Sequence, residues 1–229
     1  MIYGYCIRGA KDPAPGAGLR GIDEAAVDLH THASLGLWIS TVEGPVSPTE
    51  ERLRMHERVV REALQTATPL PLRFGTVFDS EVSVDLALAE RAESFENSLE
   101  RVRGLVEMGI RVERADGPPP PAGVSAADVS STGRAFLERR RTEIEAGAVA
   151  RADAARTLDE IENDMRGLAV ETTCTISVRN SLLGRVACLV HRADVPTFRA
   201  HITDVLRASR PDLRFAISGP WAPYSFANE

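Results

Sequence analysis

Lysine, cysteine and aromatic residues are all scarce in this chain. Of its 27 basic residues only Lys11 is a lysine, an imbalance that GC-rich coding explains better than a need for guanidinium groups. The three cysteines, Cys6, Cys174 and Cys188, lie far apart without metal-like spacing. An odd number of widely separated cysteines argues against a disulfide framework and favours the reducing cytoplasm.

Long apolar runs and excess positive charge are also absent. No stretch approaches the roughly 20 apolar residues of a membrane span, and the N-terminus lacks the pattern of a signal peptide. We therefore expect neither membrane insertion nor export. The formal net charge of −6 does not favour phosphate-driven binding of nucleic acid. With 229 residues, 43% of them hydrophobic, the chain can form one large or two small globular domains.

Residues 70–78 are the stretch that the first half is organised around. Their alternation predicts one continuous, half-buried strand, whose apolar face comprises Leu70, Leu72, Phe74, Thr76 and Phe78. On the opposite face Arg73 lies between Pro71 and Gly75, which leave it room. We expect Arg73 to be a buried structural anchor that pairs with Glu107 or Glu113.

Periodicity and capping signals predict the other elements. In the first half they predict strands over 2–7, 35–42 and 105–112, with a less certain strand over 25–34. They also predict a helix over 47–65 capped by Ser47 and a helix over 80–102 with an apolar stripe that includes Val82 and Leu86. In the second half they predict a helix over 132–168 that Gly147 could interrupt, strands over 172–178 and 185–190, a helix over 195–208 and a strand over 213–218.

These elements predict an α+β protein with two domains. Residues 1–115 form an N-terminal mixed α+β domain, closed by the strand over 105–112. Residues 116–124 form a proline-rich linker. Residues 125–218 form a C-terminal helical and ferredoxin-like domain in the order αββαβ, and 219–229 form an extended aromatic and proline-rich tail.

Two motifs could carry chemistry. Asp28, His30 and His32 alternate, so in a strand they would share one face and could hold a metal with an open position. Residues 16–21 match GxGxxG, which in the right strand–turn–helix setting binds dinucleotides. Two prolines precede the glycines and the following segment is too short for a crossover helix, so a flexible loop is the simpler interpretation. His56 lies on the apolar stripe of its helix, which favours a hydrogen-bonded core histidine over a base.

The C-terminal tail concentrates unusual residues. Residues 218–226 hold two prolines and three aromatic residues in a chain that is only 5% aromatic. The prolines favour an extended path. The rings could complete the core of the second domain, or they could bind a partner with little loss of entropy.

Several of these stretches together resemble the gas vesicle GvpF/GvpL family. Residues 70–78, after a helix bearing His56, are similar to the hallmark of that family, and residues 218–226 are similar to its C-terminal motif. Residues 133–140 resemble the opening of its second domain, and the first strand also fits. The tail departs at Ala222, where the family more often has proline.

The resemblance implies an N-terminal α+β domain and a C-terminal modified ferredoxin-like domain with an extension. It also implies an accessory or minor structural protein of gas vesicle formation. Such a protein would bind the hydrophobic major shell protein during nucleation or assembly, together with other gas vesicle accessory proteins, in the cytoplasm or at the gas vesicle. The family contributes no catalytic residues and no cofactor. The candidate partner-binding or family-motif residues are Pro71, Arg73, Phe74, Gly75, Gly219, Pro220, Trp221, Pro223, Tyr224 and Phe226.

Three functions therefore compete. The first is a non-enzymatic gas vesicle assembly protein, which the motifs favour. The alternative is a metal-dependent enzyme that uses Asp28, His30 and His32, which predicts stoichiometric metal in the purified protein. The third is a dinucleotide-binding domain, which predicts thermal stabilisation by a nucleotide.

Overall fold

A computed structural model describes residues 1–117 and 133–227, with the backbone alone for 133–139. Its strands are β1 (Ile2–Gly9), β2 (Asp28–His32), β3 (Leu35–Thr41), β4 (Leu70–Pro71), β5 (Val77–Phe78), β6 (Leu105–Arg114), β7 (Glu171–Arg179), β8 (Leu182–His191) and β9 (Leu213–Trp221). Its helices are α1 (Glu50–Thr66), α2 (Glu81–Glu90), α3 (Ala92–Arg101), α4 (Gly133–Asp164), α5 (Val195–Ala200), a π-helical segment (His201–Leu206) and α6 (Arg207–Ser209). This composition confirms the predicted α+β class.

The chain divides into two compact units. The first comprises Met1–Glu107 and the segment from Gly219 onward, and the second comprises Met108–Ser218. Most of the predicted linker over 116–124 lies outside the described residues, which end at 117 and resume at 133. Within the described ranges, no helix has the length and apolar character that crossing a membrane would require.

The first unit is built around β1. This strand pairs antiparallel with β3 on one side and with β4 and β5 on the other, and β2 continues the sheet beyond β3. Its residues Ile2–Ile7 are buried, so both faces of the strand are covered. The core around it contains Tyr3, Tyr5, Cys6, Ile22, Val27, Trp38, Val42, Val59, Val60, Ala63 and Ala222.

Helix α1 covers this core with the stripe that the sequence predicts. Val59, Val60, Ala63 and Leu64 are buried because they recur at three- and four-residue steps. The predicted cap is wrong by two residues: Thr49, not Ser47, accepts a hydrogen bond from the Arg52 amide. Thr49 has the extended backbone that an N-cap needs, and the proline before it stays outside the helix.

Residues 70–78 do not form one strand, which corrects the prediction. Within this stretch, strand pairing with β1 is limited to β4 and β5, and a turn over Arg73–Thr76 separates them. The turn forms because Gly75 has a φ of 87°, which glycine adopts without strain. The Thr76 amide and hydroxyl both donate to the Arg73 carbonyl, at 3.2 and 2.8 Å.

The break in the strand also changes the place of Arg73. Its side chain is exposed rather than buried, so it is not a buried anchor. The proposed partners are engaged elsewhere, since Glu107 accepts two hydrogen bonds from Ser225 and Glu113 pairs with Arg111.

The helix predicted over 80–102 is two helices that meet at Arg91. Ser80 caps α2 by accepting a hydrogen bond from the Ser83 amide, and Gly104 follows α3 with a φ of 71°. The break invalidates the single apolar stripe that the sequence suggests. Val84 and Leu88 are buried, whereas Val82 and Leu86 are 67% and 65% exposed.

The second unit contains a four-stranded sheet in the order β7-β8-β6-β9. The strand that the sequence assigns to the end of the first domain, β6, pairs within this sheet, so the order of elements is βαββαβ, consistent with a ferredoxin-like arrangement. Helix α4 runs through Gly147 without a break. Its Ala154, Leu158, Ile161 and Met165 share one core with Phe198 and Ile202 from the helical segment after β8.

Candidate functional site

Phe74, from the stretch 70–78, belongs to a cluster of four rings in the first unit, Tyr3, Tyr5, His56 and Phe74, which we call the aromatic cluster. The ring of Phe74 meets Tyr3 and His56 edge to face, with centroids 6.0 and 5.9 Å apart. Such contacts stabilise aromatic pairs beyond the area they bury. The cluster therefore fixes the Phe74 end of the Arg73–Thr76 turn against the core.

Hydrogen bonds tie the same turn to helix α1 through Tyr3. The Gly75 amide donates to Tyr3 Oη at 3.2 Å, and this oxygen shares a second hydrogen bond of 2.9 Å with His56 Nδ1. Tyr3 lies on the central strand and is fully buried. The turn is thus held by a hydrogen bond to a buried phenol in addition to its own hydrogen bonds between Thr76 and Arg73.

Burial keeps Tyr3 and His56, the two titratable groups joined by these hydrogen bonds, neutral. Removal from water raises the pKa of Tyr3 to about 12 and lowers the pKa of His56 to about 4, since burial penalises the charged form of each group. Burial also raises the pKa of Tyr224. None of these groups is poised to exchange a proton near neutral pH.

Beside the turn lies an apolar cleft of about 320 Å³. Its floor contains the buried side chains of Ile7, Leu37, Leu70 and Leu88, so sheet and helix α2 both contribute to it. Other lining residues are Pro71, Leu72, Thr76, Phe78, Ala87, Glu90, Phe95 and Ala227. Six of the nine residues of the stretch 70–78 therefore line one concave surface.

Two arginines also line this cleft. Arg91 lies over the ring of Phe95, 4.9 Å from its centroid. Arg73 is exposed, and none of the residues that the structure describes pairs with its guanidinium. The cleft thus combines an apolar floor with an unpaired positive charge at its edge.

The tail packs onto the first unit with its side chains turned inward. Ala222 and Phe226 are 3% and 4% exposed, Pro223 is buried, and Tyr224 packs against the core around β1. These contacts differ from the expectation that the rings complete the second domain. The peptide bond between Gly219 and Pro220, just before this segment, is cis.

Polar contacts hold the tail at three further points. Arg101 Nη2 donates to the Phe226 carbonyl at 2.5 Å. The amide and hydroxyl of Ser225 both donate to the Glu107 carboxylate, at 2.7 and 2.9 Å, and burial raises the pKa of that carboxyl. Trp221 lies under the guanidinium of Arg61, 5.3 Å from the ring centroid.

Comparison with known proteins matches residues 1–228 to the family described as "Gas vesicle synthesis protein GvpL/GvpF". The chain belongs to this family. It is 33% identical over 186 residues to gas vesicle protein L of a Streptomyces species, covering 76% of this chain and 68% of that relative. It is 26% identical over 244 residues to gas vesicle protein F of the same organism, covering 98% of each chain.

The fold also matches a solved member. The crystal structure of GvpF from an Anabaena species superposes with a TM-score of 0.77, covering 100% of this chain and 96% of that one, at 18% identity. At this identity the likeness shows the fold alone. It confirms the α+β class of the GvpL/GvpF chain.

Asp28, His30 and His32, the residues considered as an alternative metal site, do not form one ligand set in the described part of the chain. His30 Nε2 and His32 Nδ1 both contact Asp85 Oδ1, at 2.8 and 3.1 Å, and not Asp28. Among residues 1–117 and 133–227, no group of three histidine, cysteine or acidic side chains could hold a metal. The histidines instead connect the edge strand β2 to helix α2.

The glycine-rich stretch 16–21 lacks the setting of a dinucleotide site. A three-residue 3₁₀ helix, Ile22–Glu24, follows it in place of a crossover helix. Gly21 has a packing role, because an added Cβ would lie 1.9 Å from Tyr5 Oη. The close approach allows Tyr5 Oη to accept from the Ile22 amide at 2.8 Å.

Sequence reasoning missed Tyr3, Arg61 and Arg101, which support the two family motifs, and it assigned Glu107 to Arg73 when its partner is Ser225. Tyr3, Glu107, Arg61 and Arg101 all contact a motif segment, yet they lie far from it along the chain. A tyrosine within an otherwise apolar buried strand was the one available signal, because a buried phenol requires a hydrogen-bond partner.

Proposed function

We propose that this protein is a non-enzymatic accessory or minor structural protein of gas vesicle formation that binds the hydrophobic major shell protein during nucleation and assembly. The named relatives are gas vesicle proteins L and F. The proposal places the chain in the cytoplasm and at the growing vesicle, with other gas vesicle accessory proteins as further partners.

The observation that carries the proposal is the cleft beside the Arg73–Thr76 turn. Its walls present the half-buried apolar side chains of Leu72, Phe78 and Phe95 above the buried aliphatic floor, in a chain whose net charge is −6. Exposed apolar surface in a charged protein is typical of binding sites. A subunit with an apolar face would aggregate in water, and occupancy of that face by an acidic protein would keep it available for assembly.

The titratable groups support a binding role over a catalytic one. The groups with strongly shifted pKa values near the motifs, Tyr3 and His56, are buried and held neutral. Among the described residues that line the cleft there is no histidine, cysteine or serine. A site of this composition is suited to recognise an apolar surface.

The experiment combines binding with a cellular readout. The gene is deleted in a vesicle-forming host, and vesicles are counted by flotation and electron microscopy with and without the wild-type gene. In parallel, tagged protein is tested for co-purification with the shell protein. We expect few or no vesicles after deletion and a stable complex in the wild type. Normal vesicles after deletion, without any complex, would refute the proposal.

A further inference from the structure

The cleft and Arg73 together define a ligand chemistry, and this inference rests on the proposed function. We propose that the cleft binds a segment of the shell protein that inserts aliphatic side chains and places a carboxylate against Arg73. The size of the cleft, the character of its floor and the charge at its edge support this in turn.

The size of the cleft limits what can enter. Its 320 Å³ correspond to about ten water molecules at about 30 Å³ each. That space accommodates two or three aliphatic side chains but not a whole helix, which is about 10 Å across. The partner therefore lies over the cleft and inserts side chains into it.

The floor selects apolar groups. Ile7, Leu37, Leu70 and Leu88 are each at most 2% exposed, so they are packed in place before any ligand arrives. A preformed apolar floor binds without the cost of ordering it. A polar side chain inserted here would lose its hydrogen bonds to water without replacement.

The edge selects a negative charge. Arg73 projects from a turn whose backbone is fixed by Tyr3, and the described residues offer its guanidinium no partner. Arginine binds a carboxylate through two parallel hydrogen bonds. Among the described residues that line the cleft, Glu90 is the one acidic side chain, and it does not pair with Arg73.

The test uses full-length protein and synthetic 15-residue peptides tiled across the shell protein of the same organism, with fluorescence anisotropy as the readout. We expect an aliphatic peptide with an acidic residue to bind. Arg73→Glu should weaken this binding about ten-fold or more, since it replaces attraction with repulsion. Ala87→Trp, which fills the cleft, should weaken it similarly.

Two controls make the result specific. Arg54→Glu makes the same change of charge on an exposed arginine of the first unit that does not line the cleft, and it should leave binding within about two-fold. A peptide whose acidic residue is replaced by lysine should bind Arg73→Glu better than it binds the wild type. This reversal would establish the contact itself.

The outcomes separate the inference from the proposed function. If the intact shell protein binds wild type, Arg73→Glu and Ala87→Trp equally, or if it binds while none of the peptides does, the inference is wrong and the proposed function stands. If the intact shell protein does not bind the wild type and vesicles form normally after deletion, both fail.

Discussion

Acidification should selectively weaken the first unit through His56. The His56 ring is 4% exposed, and burial lowers its pKa from 6.5 to about 4. Between these values the unfolded chain binds a proton that the folded chain does not. Stability from this group is therefore complete above pH 6.5 and is lost as the pH falls toward 4. From pH 7.5 to 4.5 the loss should be about 2.5 kcal/mol.

Tryptophan fluorescence can isolate this effect. Both tryptophans of the chain, Trp38 and Trp221, belong to the first unit, so their emission follows its unfolding. Urea titrations at pH 7.5, 6.5, 5.5 and 4.5 give the free energy of unfolding at each pH. His56→Gln removes the titrating ring, and the exposed His191→Gln serves as the matched control.

The expected result is a difference between slopes. His56→Gln should be less stable than wild type at pH 7.5, because the contact with Tyr3 is altered, and this gap should narrow by about 2.5 kcal/mol at pH 4.5. Other groups, including Glu107, titrate in both proteins and cancel. Equal pH dependence in wild type and His56→Gln would refute the assignment of His56 as a buried neutral histidine.

Three further substitutions test the arrangement around the two motifs by urea denaturation. Arg73→Ala should change the free energy of unfolding by less than about 0.5 kcal/mol, because the side chain is exposed; a loss of several kcal/mol would reveal a structural partner. Gly75→Ala should cost about 1–2 kcal/mol because its φ is 87°, whereas Gly44→Ala, at an open position without positive φ, should cost less. Phe226→Ala should cost about 3–5 kcal/mol, because the ring is 4% exposed, and a cost below about 1 kcal/mol would mean that the tail is not part of the core.

The elements with strong periodicity could be predicted from the sequence. The buried stripe of α1 follows from spacing alone, since burial of one face dictates the spacing, whereas the first strand is a short, mostly apolar run that suits a strand buried on both faces. The placement of His56 in the core also follows, because its neighbours at helical spacing are apolar. Local signals of this kind do not depend on the rest of the chain.

The turn at Arg73 could not be predicted in the same way. Its residues alternate as a strand would, and the break depends on Gly75 and on a hydrogen bond from its amide to Tyr3, 72 positions earlier in the chain. The break between α2 and α3 at Arg91 was also not predicted. Val82 and Leu86 are spaced from Phe95 as residues on one helix face would be. They lie in α2 and Phe95 lies in α3, so this spacing does not place them on a common face.

The two family motifs, residues 70–78 and 218–226, can be assigned different roles, one in binding and one in stability. The rings of the tail are committed to the first unit, with Phe226 buried and Tyr224 against the core, so their removal would disturb the protein that presents Arg73. Loss of shell binding on deletion of residues 219–229 would therefore not identify the tail as the contact. Arg73 is exposed, and changing it leaves the core intact. A binding defect in Arg73→Glu with unchanged unfolding would assign recognition to the turn and stability to the tail.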